Sequence, residues 1–145
     1  MSKVTAKCYN GKRTDKRMDR KYYGQMTKVE IDYLKDEFNK LKDVKACDHA
    51  NDRLKEYDTT LDQLRKLLGR AKSYNIIEYN TGRGNERRVV IKDFTPIETK
   101  DGRYVNALYS IDIDRGEVIT MWFNWVGDSH KTLDMSIYNA NLKII

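Results

Sequence analysis

The spacing of apolar residues changes at Tyr74. Before it, apolar side chains recur every three to four positions; after it, they alternate with polar ones. A chain that reads helical in its first half and pleated in its second folds as α+β, because a helix stripe and a sheet face must each bury against something. The expectation is a single domain over 1–145, with N-terminal helices packed on one face of a four- to five-stranded antiparallel sheet.

The helical part spans 27–69. Thr27-Lys28-Val29-Glu30 has the capping-box spacing, and Met26 and Ile31 sit where a hydrophobic staple would close. Ile31, Leu34, Phe38 and Leu41 then share a helix face. A second helix is expected from Asp43 to Tyr57, turning Val44, Cys47, Leu54 and Tyr57 inward. A third opens with the box Thr60-Leu61-Asp62-Gln63, carries Leu61, Leu64, Leu67 and Leu68, and ends at Gly69.

The sheet part spans 74–145. Residues 75–79 read as a strand, Thr81-Gly82-Arg83-Gly84-Asn85 as a turn, and Arg88 to Phe94 as the next strand. Pro96 begins a polar loop that ends at Arg103. Val105, Ala107, Tyr109, Ile111 and Ile113 fall on one face of the following strand. Asp114-Arg115-Gly116-Glu117 closes a hairpin onto Val118–Asn124, where Trp122 and Phe123 point to opposite sides. Phe94 and Tyr109 are expected as core partners for these aromatics.

No apolar run approaches the roughly 18 residues of a membrane span. Met1 to Asn10 lacks the apolar core of a secretory signal. Cys8 and Cys47 are far apart and without CxxC spacing, so they are expected to be reduced and non-catalytic in the cytoplasm of a bacterial cell. With only two histidines besides, at unrelated spacings, neither a metal nor a cofactor is expected.

The charge is uneven. Residues 1–45 carry 13 Lys and Arg against 7 Asp and Glu, and residues 46–145 carry 15 of each. Residues 1–25 show no hydrophobic period and read as a basic, flexible or partly helical arm. Its densest part holds Lys12, Arg13, Lys16, Arg17, Arg20 and Lys21. Such a segment attracts phosphate backbones through counterion release, and equally suits an acidic protein surface or serves as a solubilising tail.

Two groups could carry chemistry. His49 and Arg53 stand four apart on one helix face, and His130 lies in Asp128-Ser129-His130-Lys131-Thr132 after the most apolar strand. Metal-free RNA cleavage needs a base, an acid and a guanidinium on the phosphorane, which two histidines with arginines can supply.

His49-Ala50 followed by Arg53, then Arg88-Val89-Val90-Ile91 and Gly116-Glu117-Val118-Ile119-Thr120, resembles the barnase–EndoU–colicin–RelE ribonuclease fold over roughly 45–140. The resemblance implies an RNA-cleaving toxin in which His49 and His130 transfer protons and Arg53 binds phosphate. Arg88 would clamp the transition state, with Thr132 and Asn124 as hydrogen-bonding support. Read without the resemblance, His49 with Arg53 is a solvated helix face, Arg87-Arg88 is charge on an edge strand, and His130 caps a turn.

Two non-catalytic readings stand beside the enzyme. One is a phage-encoded inhibitor of a host nucleic-acid enzyme, of anti-CRISPR type, with Asp48, Asp52, Glu56, Asp58 and Asp62 imitating phosphates. The other is an accessory protein that binds RNA or another nucleic acid. The partner is then a nucleic acid or a host nucleoprotein enzyme, and the oligomeric state stays open.

Overall fold

Thr27 starts the first helix as its sequence requires. Its Oγ1 accepts from the Glu30 amide at 3.1 Å, and Glu30 Oε1 accepts from the Thr27 amide at 2.9 Å. Two of the amides a helix start leaves unpaired are thereby satisfied. In the computed structural model, which describes Val4, residues 19–128 and residues 134–145, this helix is α1, Lys28–Asn39. The others are α2, Asp48–Glu56, and α3, Asp62–Arg65.

Among the described residues seven strands form one sheet: β1 Arg20–Tyr22, β2 Lys45–Ala46, β3 Tyr74–Asn80, β4 Arg88–Asp93, β5 Ile97–Glu98, β6 Tyr104–Asp112 and β7 Glu117–Trp125. Their order is β1-β3-β4-β6-β7-β2, with β5 also on β6. All pairs are antiparallel except β2 with β7. The class is therefore α+β, with more strands than the four or five expected.

Both extra edges come from segments whose sequence reads otherwise. Lys45-Ala46 falls within the expected second helix. Instead the Lys45 and Cys47 amides donate to the Gly116 and Val118 carbonyls, each at 3.0 Å, and α2 begins only at Asp48. The free edge of β7 offers acceptors that compete with a helix turn here. Arg20–Tyr22 belongs to the expected arm, yet it pairs with Glu78–Asn80. The third helix is a single turn continued by tight turns to Gly69, whose φ of +80° favours glycine.

The sheet's two faces differ in chemistry. Side chains opposite each other in a ladder share a face, so Tyr79, Val89, Ile111 and Val118 form one row and Ile76, Ile91, Tyr109 and Met121 the next. These pack against the helices: Phe38 meets Tyr74 edge-on at 5.3 Å, and Tyr57 meets Phe123 at 5.1 Å. Leu34, Phe38, Leu64 and Phe123 are fully buried there. Each contributes about 1.5–3 kcal/mol by leaving water.

The other face carries Arg20, Asn80, Arg88, Asp112 and Glu117 in one row, then Glu78, Val90, Ser110 and Thr120. Trp122 lies on this side and Phe123 on the core side, as their alternation predicts. No helix among the described residues is long and apolar enough to cross a membrane.

Candidate functional site

Those described residues that are expected to act together lie on different faces. His49 is the second residue of α2 and is exposed. Arg53, one turn on, pairs with Glu56 at 3.5 Å. Ala50 and Leu54 of the same helix are buried in the core, so α2 belongs to the helix layer. Arg88 opens β4 on the opposite face, where its Nε donates to Glu86 Oε2. Asn124 is on that same face and buried. The sheet thus stands between His49 with Arg53 and Arg88 with Asn124. β4 lies between β3 and β6, so Arg87 and Arg88 are not edge-strand charge. His130 and Thr132 lie outside the described residues.

Arg20 and Lys21 are not surface cations. Arg20 Nη1 meets Glu78 Oε2 at 3.4 Å with both side chains almost wholly buried. Asn80 Nδ2 and the Tyr138 hydroxyl also donate to Glu78, at 2.8 and 2.9 Å. Lys21 Nζ donates to both Glu30 oxygens, at 3.1 and 3.0 Å, and to the Leu142 carbonyl. Burial alone would raise the Glu30 carboxyl, but the Thr27 amide and Lys21 outweigh it and hold it below the usual range. Both cations therefore fasten strand and C-terminal segment. Lys12, Arg13, Lys16 and Arg17 lie outside the described residues.

The acidic patch is exposed but partly neutralised. Asp48, Asp52 and Glu56 follow at four-residue spacing on α2. Glu56 pairs with Arg53, Asp58 with Lys100 and Asp62 with Arg65. Among the described residues, no group of three His, Cys, Asp or Glu side chains could hold a metal ion.

A different surface emerges at one end of the sheet. The chain after α3 folds into a tight turn: the Arg70 amide donates to the Leu67 carbonyl and the Ser73 amide to Arg70, both at 2.9 Å. Asn39 Oδ1 accepts from the Gly69 amide at 3.0 Å, and Lys35 Nζ donates to the Ala71 carbonyl at 2.7 Å. This anchored turn presents Lys66, Arg70 and Lys72 to solvent. None of the three makes an ion pair among the described residues.

Phe94 stands beside that turn, its amide bonded to the Ser73 carbonyl at 3.1 Å, and is 49% exposed rather than in the core. The strand stops short of it because Asp93 Oδ1 takes the Thr95 amide at 2.9 Å and bends the chain before Pro96. At the same end Tyr104 is 52% exposed and Val126 48%, joined by a Val126 amide to Tyr104 carbonyl bond of 3.1 Å. The Trp125 ring there is covered by the Arg103 guanidinium at 3.8 Å. The signal was present in sequence as Lys66, Arg70 and Lys72 around Gly69. The arm is the denser basic run, and Phe94 reads as strand.

Comparison with known proteins returns no match: no family model, no curated protein and no solved structure.

Proposed function

We propose that this chain is a nucleic-acid-binding accessory protein that acts by contact rather than by cleavage. The observation that carries the reading is the anchored turn that holds Lys66, Arg70 and Lys72 exposed and without carboxylate partners among the described residues. Unpaired exposed cations on a rigid turn release counterions when they meet phosphates, which is the main source of sequence-independent affinity. Neutralising three phosphates gives a slope of log affinity on log salt of about −2 to −3. Residues 1–18 add six further Lys and Arg against one Asp.

The ribonuclease reading is less well supported, because His49 and Arg53 are on the helix side and Arg88 is on the other. A general acid or base must reach within hydrogen-bond distance of the phosphate that the guanidinium holds. The inhibitor reading is weakened by the cations that already neutralise Glu56, Asp58 and Asp62.

The test is binding of labelled oligonucleotides across a salt series, alongside incubation with total RNA in EDTA. Salt-dependent binding with intact RNA is expected. Cleavage that disappears in His49→Ala or His130→Ala would replace this reading with the ribonuclease. No binding even at low salt would refute it and direct the search to a protein partner.

A further inference from the structure

We infer that the sheet end bearing Phe94 and Tyr104 takes the unpaired bases of a single strand, while Arg70 and Lys72 hold the phosphates beside them. The inference rests on the nucleic-acid-binding reading and narrows it to single-stranded RNA or DNA.

Two large aromatic rings are left in water at this end although burying them would stabilise the fold. Phe94 is 49% and Tyr104 52% exposed. Phe94 directly follows β4, and Tyr104 opens β6, the strand paired with it. β4 and β6 pair as far as Lys92 with Leu108, and Tyr104 further along β6 pairs with Glu98 of β5, so Phe94 and Tyr104 lie at the same end of the sheet. Two exposed rings at one sheet end suit unstacked bases, each of which has a π-face whatever its identity. Trp125 is excluded as a platform on the face its ring gives to Arg103.

The cations are placed by the backbone. Phe94 is bonded directly to Ser73, and Lys72 and Arg70 lie one and three residues before it in the same turn. Aromatic rings interleaved with cations along one surface are the general means of holding a single strand. A duplex keeps its bases stacked on each other and offers such rings nothing to stack with. The preference should therefore be for unpaired strands, with little dependence on sequence.

The experiment is fluorescence anisotropy with the full chain, using a labelled oligothymidylate of about 15 nucleotides, within the usual site size, and a mixed-sequence duplex of equal length. Wild type should bind the single strand more tightly at every salt concentration. Phe94→Ala and Tyr104→Ala should each weaken single-strand binding about tenfold and leave the salt slope unchanged. Phe94→Leu keeps bulk without a π-face and should behave as Phe94→Ala. Replacing Lys66, Arg70 and Lys72 together by Ala should instead flatten the slope. Equal affinity for both forms, or wild-type affinity in the Phe94 variants, overturns the inference and leaves nucleic-acid binding standing. Failure of both oligonucleotides to bind overturns both.

Discussion

Arg87 Nη1 donates to Glu37 Oε1 at 2.9 Å, joining the third turn of α1 to the residue before β4. The same guanidinium reaches the Tyr33 hydroxyl and chelates Asp114 in the β6–β7 turn. Lys40, then Arg87 and Tyr33, hold the Glu37 carboxyl down at about 2. One arginine therefore fixes the helix layer to the hairpin.

Arg87→Ala should lower unfolding free energy by about 2 kcal/mol at neutral pH, since several charge-assisted bonds are lost at a partly exposed site. The folded pKa of Glu37 is depressed below the ordinary value of 4.5. Its contribution is thus present above that value and lost as pH falls toward about 2. Urea titrations at pH values across that window should show a shallower acid loss in Arg87→Ala than in wild type. Parallel curves would show that Lys40 alone sets the Glu37 titration.

Arg20→Ala should cost far more, about 3–5 kcal/mol, because it removes the buried cation that faces Glu78. Exchanging both partners, Arg20→Met with Glu78→Leu, should lose less than the two single changes summed. Chemical denaturation of the three variants measures this coupling. Additive losses would mean that Arg20 and Glu78 do not depend on each other.

Asp93 is fully buried, and burial raises its carboxyl above the ordinary range despite the Thr95 amide on Oδ1. Its folded pKa then exceeds the unfolded one. The stability it contributes is complete below the unfolded value, about 4, and is lost as pH rises through the folded value. Asp93→Asn should therefore gain on wild type as pH rises from 4 to 7, read as the difference between their thermal midpoints. A constant difference would mean that the carboxylate is ionised in the fold throughout.

Gly116 has φ of +65°, and a Cβ there would stand 3.0 Å from the Asp43 carbonyl, a backbone atom. Gly116→Ala should cost about 1–2 kcal/mol from the left-handed backbone alone, and roughly 5 °C in Tm. Hydrogen exchange should quicken at Lys45 and Cys47, whose amides bond to Gly116 and Val118. Unchanged exchange there would show that β2 docks independently of the turn.

The elements legible in the sequence are those whose signal is local. The Thr27 cap, the 114–117 hairpin and the alternation from Val105 to Ile113 depend on nearby residues alone, and each is found. What was not legible depends on a distant partner. Lys45-Ala46 is a strand only because β7 has a free edge, and Arg20 is buried only because Glu78 lies across from it. Phe94 is the exception, decided locally: Asp93 Oδ1 takes the Thr95 amide and turns the chain out of the strand before Pro96. Of the candidate residues, His49 lies on a helix as its spacing from Arg53 suggests, but which face of the sheet that helix covers is not written in a four-residue spacing.

Both ends of the strand order are short, three residues in β1 and two in β2. The outer carbonyl of Arg20 accepts from the Asn139 amide at 2.7 Å, and that of Ala46 from Asn51 Nδ2 at 3.4 Å. A neighbouring molecule thus finds little open ladder to extend. Even a seven-stranded sheet can in this way stay finite, and concentrated samples should resist growth into fibrils from either rim.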